Sequence, residues 1–280
     1  GWGPLVPPDC VLPPRVTSLL PSNGSAAGGY TVTVLGTGFG QLASSGVVGR
    51  IGHTRCTSTE WASATSLLCV TAPSIGRGHP VTVYVANIMA NASATFDFDP
   101  PRIESLVPPV APTTGGLVAT VVGSNFGTVD YSQSLSLRNG SALLPLPTLF
   151  VSNSILRVRL PAGVGTGIPV LVAVAGLTSP PANFSYSPPT LTAVEPPFSW
   201  NFLGPSVTIH GDNLGTGRAS DGNLTTVHVG RQVCVPVGGN ATTVHCRLQA
   251  GDGAVQVTAT TGGQQSNVLT FEFRGRASVL

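Results

Sequence analysis

The chain has 280 residues, a formal net charge of +2 and 9% charged residues, against roughly 25% in an ordinary soluble domain. All 13 basic residues are arginine and none of them cluster, which argues against the basic stripe a nucleic-acid binder needs to neutralise phosphates. Glycine and proline make 35 + 25 = 60 residues spread along the whole chain; together with alternating apolar stretches they predict many short strands joined by tight turns.

Residues 1–13 read as a proline-rich leader that carries Trp2 and Cys10. A short strand is expected at 16–19, ended by Pro21, with turn material at 22–25 and at Gly28-Gly29. Residues 30–35 alternate apolar and polar, as a half-buried strand does. They run into Gly36-Thr37-Gly38-Phe39-Gly40, where glycine permits positive φ and Phe39 is expected to plug the core. Further strands are expected at 47–51, 67–71 and 80–86, and 94–98 closes the unit with Phe96 and Phe98 on one face.

The same text then repeats. Pro14-Arg15-Val16 is matched by Pro101-Arg102-Ile103 and Pro189-Thr190-Leu191, at offsets of 101 − 14 = 87 and 189 − 101 = 88. The glycine turn returns as Gly123-Ser124-Asn125-Phe126-Gly127 and Gly211-Asp212-Asn213-Leu214-Gly215, again 87 and 88 residues on. Two landmarks drifting together identify repeated units. The expected division is a leader or linker at 1–13, domains at 14–100, 101–188 and 189–274, and a tail at 275–280. Each unit is of a size to bury its own modest core. No amphipathic helix is evident, and about seven short strands per unit is the pattern of an immunoglobulin-like β-sandwich. The junctions, Asp99-Pro100-Pro101 and Ser187-Pro188-Pro189, are short and stiffened by proline, which predicts an extended rod.

Five cysteines divide unevenly. Cys56 and Cys69 stand 13 apart in the first repeat, and Cys234 and Cys246 stand 12 apart in the third. Equivalent pairs in equivalent places read as one local disulfide per domain. In the second repeat Leu143 or Leu144 and Arg157 are expected at the corresponding positions, so the bridge supplements the fold. Cys10 is left to pair with an upstream segment or another chain, or to stay a free thiol. Trp61 lies between Cys56 and Cys69 and is expected to pack near their bridge. Asn-X-Ser/Thr sequons at Asn23, Asn91, Asn139, Asn183, Asn223 and Asn240 predict N-glycosylation, several of them at turns, and attached glycans would keep a low-charge surface soluble.

The proline-X-Ile/Val opening, the Gly-Gly turn, the alternating strand and the Gly-Thr/Ser-Gly/Asn-Phe-Gly turn together resemble the IPT/TIG domain. The resemblance runs over about residues 14–274. Its third copy departs, with Pro196-Pro197-Phe198-Ser199-Trp200 and Gly204 in place of the Gly-Gly turn and Leu214 in place of phenylalanine. It implies an immunoglobulin-like fold of the kind found in plexins, Met-type receptors, fibrocystin-like proteins, some transcription factors and bacterial surface proteins. The family's frequent cysteine pair also agrees with Cys56/Cys69 and Cys234/Cys246. Such a motif specifies a fold and not an activity.

Chemistry is thin in the inventory. His53, His79, His210, His228 and His245 are scattered, no Gly-X-Ser-X-Gly elbow precedes a helix, and the glycine turns lack the lysine and helix of a phosphate loop. Asp97 and Asp99 flank a strand end without the oxygen-rich loop that calcium takes, and no CxxC or Cys/His cluster suggests zinc. The expectation is a non-enzymatic extracellular or cell-surface protein with no catalytic residue, metal or cofactor. No stretch of about 18 apolar residues is present to cross a membrane, and the single Met89 marks a processed product or an excerpt. The expected role is structural or adhesive, a glycosylated rod that assembles into a filament or surface layer with copies of itself or with neighbouring extracellular proteins. The alternatives are a ligand-binding receptor ectodomain and an accessory module of a secreted carbohydrate-active enzyme. The apolar loop with Phe198, Trp200 and Phe202 is the candidate contact surface, for a partner, a sugar or the adjoining domain.

Overall fold

The computed structural model describes residues 13–41, 46–139, 141–200, 204–215, 225–234 and 238–275. They form strands and turns throughout, arranged as three pairs of sheets, one pair per repeat. In the first domain one sheet runs in the order Asn91–Ala92, Arg15–Leu20, Thr31–Thr37, Ser66–Val70, Ser58–Ser63. The facing sheet is built on Asn23–Gly24, Thr95–Phe98, His79–Val85, Val47–Ile51 and Thr54–Arg55. The second and third domains repeat this plan.

Alternation builds each core. In Thr31–Thr37 the residues Val32, Val34 and Gly36 point inward while their neighbours face out, the period of two that a half-buried strand imposes. Buried residues of both sheets meet in three separate clusters, one per domain. The aromatic pairs of the closing strands lie at their centres: Phe96 with Phe98, Phe184 with Tyr186, and Phe271 with Phe273, each in edge-to-face contact with centroids 5.0–5.2 Å apart.

The opening segment of each domain serves both sheets through two successive strands. Arg15–Leu20 pairs antiparallel with Thr31–Thr37, with a register shift between Val16 and Ser18, and the same shift recurs at Ile103/Ser105 and Leu191/Ala193. The chain then passes through Pro21, Pro108 or Pro196, each in a cis peptide bond. A short strand follows that pairs parallel with the closing strand: Asn23–Gly24 with Asp97 and Phe98, Val110–Ala111 with Ser185 and Tyr186, Phe198–Trp200 with Glu272, Phe273 and Arg274.

The glycine turn explains itself sterically. A Cβ on Gly36, Gly123 or Gly211 would collide with the carbonyl oxygen of Arg15, Arg102 or Thr190, where the opening strand crosses. The plug residues Phe39, Phe126 and Leu214 are all buried. The third position of the turn has positive φ in every copy: Gly38 at 77°, Asn125 at 61° and Asn213 at 57°.

The strands expected from alternation are present within a residue or two of their anticipated limits. The short pairings at Thr54–Arg55, Ile88–Met89 and Asn91–Ala92 were not anticipated. Neither was Ser58–Ser63, an edge strand whose residues are all partly or fully exposed.

Candidate functional site: the joints and the modified surface

Cys56 and Cys69 are bonded, as are Cys234 and Cys246, each pair with Cα atoms 5.7 Å apart. Trp61 packs half-buried against the cluster that holds the first bridge. In the second domain the structure corrects the expected equivalents. Leu143, Leu144 and Arg157 are exposed, whereas Leu146 pairs with Leu135 as Cys234 pairs with Val227. Val158 likewise pairs with Ala119 as Cys69 pairs with Val32 and Cys246 with Val207. Leu146 and Val158 are buried and fill the place of the disulfide. A fixed 87-residue offset misplaces them because strand spacing within the domains differs: Leu146 lies 146 − 123 = 23 residues past its glycine turn, like Cys234 at 234 − 211 = 23, while Cys56 lies 56 − 36 = 20 past its own.

The sequon asparagines fall at exposed places where their side chains are described. Asn23 and Asn183 lie on strands and Asn240 in a turn, all exposed. Asn23 donates from Nδ2 to Asp99 Oδ1 at 2.6 Å. Asn240 Oδ1 accepts from the backbone N–H and hydroxyl of both Thr242 and Thr243. Asn91 and Asn139 stand at strand ends, in Asn91–Ala92 and Ser134–Asn139. Asn223, Cys10, Trp2 and Phe202 lie outside the described residues.

Most of the polar residues weighed for catalysis are tied into the scaffold. His79 shares a hydrogen bond of 2.8 Å with the Ile75 carbonyl and sits edge-on to Phe98. His210 lies 3.4 Å from the Glu195 carboxylate, and His245 Nδ1 lies 3.1 Å from Thr208 Oγ1. Asp97 accepts the Gly78 N–H at 2.7 Å. Among the described residues no group of three His, Cys, Asp or Glu converges as a metal site, and no helix is long and apolar enough to cross a membrane.

At the far side of the third domain Phe198 is half-buried beneath Arg274, whose guanidinium carbon lies 3.7 Å from the ring centroid. Arg274 Nε also donates to Glu272 at 2.8 Å. Trp200 meets Phe198 edge-on at 6.5 Å and is 45% exposed. Among the described residues of the anticipated contact loop, Trp200 presents aromatic surface.

The particular residues that join the domains were not foreseen. At the first joint Asn125, from the glycine turn of domain 2, reaches back to domain 1. Its Oδ1 accepts from Ala26 N at 3.2 Å and from Ser25 Oγ at 3.1 Å, while its Nδ2 donates to the Pro100 carbonyl at 3.2 Å. Ile75 of domain 1 packs against the core cluster of domain 2. At the second joint Asn213 Oδ1 accepts from Thr113 N at 3.2 Å, and Gln264 Nε2 donates to the Tyr186 carbonyl at 3.1 Å. Gly262 abuts the backbone of Val164 and Gly165 so closely that a Cβ would lie 2.5 Å from Gly165 N. Burial raises the Tyr186 phenol above its ordinary pKa, and its hydroxyl donates to the Pro161 carbonyl at 2.9 Å.

A family model described as the IPT/TIG domain matches residues 14–98, 101–186 and 189–273. Mouse plexin-B3 (Mus musculus) is 32% identical over 239 residues, which cover 81% of this chain and 12% of that protein. Human fibrocystin-L (Homo sapiens) is 26% identical over 248 residues, covering 86% of this chain and 6% of that protein. The solved extracellular region of plexin A4 covers 89% of this chain and 22% of its own, at 21% identity and a TM-score of 0.30.

Proposed function

This chain belongs to the IPT/TIG domain family, and from that premise we propose that it is a non-enzymatic segment of an extracellular protein, a glycosylated rod with a structural or adhesive role. The observation that carries the reading is the head-to-tail bonding of its domains. Side chains bridge both joints across short proline links, so each domain holds its neighbour at a set spacing, which suits a stalk, spacer or surface layer. Two local disulfides fit an oxidising compartment, and exposed sequon asparagines fit covalent glycans as the source of solubility for a surface with few charges.

Expression through a secretory pathway tests this. Intact mass should fall on deglycosylation, and Cys10 should carry any linkage between chains that reduction releases. Electron microscopy or sedimentation should show oligomers or fibres; material that stays monomeric at all concentrations overturns the filament reading. The 32% identity to plexin-B3 over 239 residues favours a second reading, a ligand-binding receptor ectodomain in which Trp200 and the loops at domain ends meet a protein or a sugar. An ectodomain interaction screen in which Trp200→Ala abolishes a hit while the fold persists would move the conclusion to that reading.

A further inference from the structure

We propose that the third residue of the glycine turn is an inter-domain latch: asparagine there, and not the conformationally equivalent glycine, locks a domain to the one before it. The positions correspond across the joints. Ala26 and Thr113 are 113 − 26 = 87 residues apart, and Asn125 and Asn213 are 213 − 125 = 88 apart, so the same side-chain atom accepts the same backbone N–H twice. The copies differ at this position: Gly38 in the first has no side chain to make such a bond, while the second and third have asparagine.

Backbone conformation alone does not account for the choice. All three residues occupy the left-handed region, where glycine is the least strained and asparagine the next best tolerated. Selecting asparagine in copies two and three gives up that advantage, and the amide makes up for it with bonds outside its own domain. At the first joint all three of its bonds leave domain 2, two to domain 1 and one to the linker carbonyl of Pro100. One side chain thus fixes domain, linker and domain together. The loop it grips is itself held: Ala26 O accepts from Ser74 N at 3.2 Å and Thr113 O from Gly163 N at 3.0 Å. Ser74 adjoins Ile75, which supplies the apolar part of the first joint. At the second joint the latch works beside the Gln264 bond and the Gly262–Gly165 contact, so loss of the latch costs more at the first joint than at the second. The inference is independent of the adhesive reading, because a receptor ectodomain would use the same joint.

Asn125→Gly and Asn213→Gly in the full chain are the test, since glycine keeps the turn conformation and removes only the amide. Residual dipolar couplings of the amide groups report the alignment of each domain. The expected wild-type result is one alignment tensor shared by domains 1, 2 and 3. Asn125→Gly should separate domain 1 from the other two, with its couplings scaled down by independent motion. Asn213→Gly should loosen domain 3 to a smaller degree. Backbone shifts within each domain should stay in place apart from the turn and its contacts. If Asn125→Gly leaves the shared tensor intact, or if it only stabilises domain 2 as a relief of left-handed strain would, the latch is rejected and the asparagine is a turn residue alone.

Discussion

At the residue scale the glycine turn is read by two different constraints in one pentapeptide. Its first glycine answers to space, because the opening strand passes directly over Gly36, Gly123 and Gly211. Its third residue answers to backbone sign, which asparagine also meets. Alanine at the first position forces apart two paired strands, so Gly123→Ala should destabilise domain 2 by about 2 kcal/mol or more, measured by denaturant unfolding; a cost of only the few tenths of a kcal/mol typical of a surface change would show that the strands give way freely. Tyr186 supplies a second prediction. It stands where Phe98 and Phe273 stand in the other copies, and burial lifts its pKa above the ordinary 10.0. The unfolded phenol therefore ionises first. The contribution to stability is complete below pH 10 and is lost as pH rises through the folded value. Domain 2 should weaken more than its neighbours in alkali, and Tyr186→Phe should remove that difference; an equal alkaline loss in the variant would place the cause elsewhere. The plug residues and the aromatic closing strands were legible from sequence because a single buried side chain at fixed spacing marks them. The role of Asn125 and Asn213 was not, since their partners lie 99 and 100 residues away and nothing in the local turn points to them.

At the element scale, strands that carry alternating apolar residues declared themselves, and those held mainly by their partners did not. Ser58–Ser63 reads as a polar stretch, yet it pairs along its length with Ser66–Val70 because the disulfide and Trp61 hold it there. The two-residue strands have no pattern to read at all. The same dependence on partners explains the misplaced equivalents of the disulfide in domain 2: register, and not sequence offset, decides which residues face each other. Leu146 and Val158 occupy those facing places, so the double substitution Leu146→Cys/Val158→Cys should close a bridge over a 12-residue span, as in domain 3. The bridge should raise the stability of domain 2 by up to about 3 kcal/mol in its oxidised form. The free-thiol content and the unfolding midpoint with and without reductant check this, and two free thiols with an unchanged midpoint would refute the assigned register. Without substitution, reduction should weaken domains 1 and 3 and leave domain 2 unaffected, which domain-resolved hydrogen exchange can read.

At the scale of the whole molecule, three cores of similar construction are joined but not merged, so unfolding should proceed in separable steps whose order changes with reductant, in contrast to a solenoid with one continuous core. The short parallel pairing that ends each crossover has a consequence for a chain pulled from both ends. The first strand of that pair lies near the entry to its domain and the second at the exit. Because they run parallel, tension draws them past each other lengthwise and loads every hydrogen bond between them at once, whereas an antiparallel hairpin pulled from its open end yields one bond at a time. The first two domains have two residue pairs in this seam and the third has three, with Arg274 stacked across it on Phe198. Stretched by an atomic force probe, the third domain should be the last to rupture, and the array becomes a tether whose weakest links lie nearest its N-terminal end.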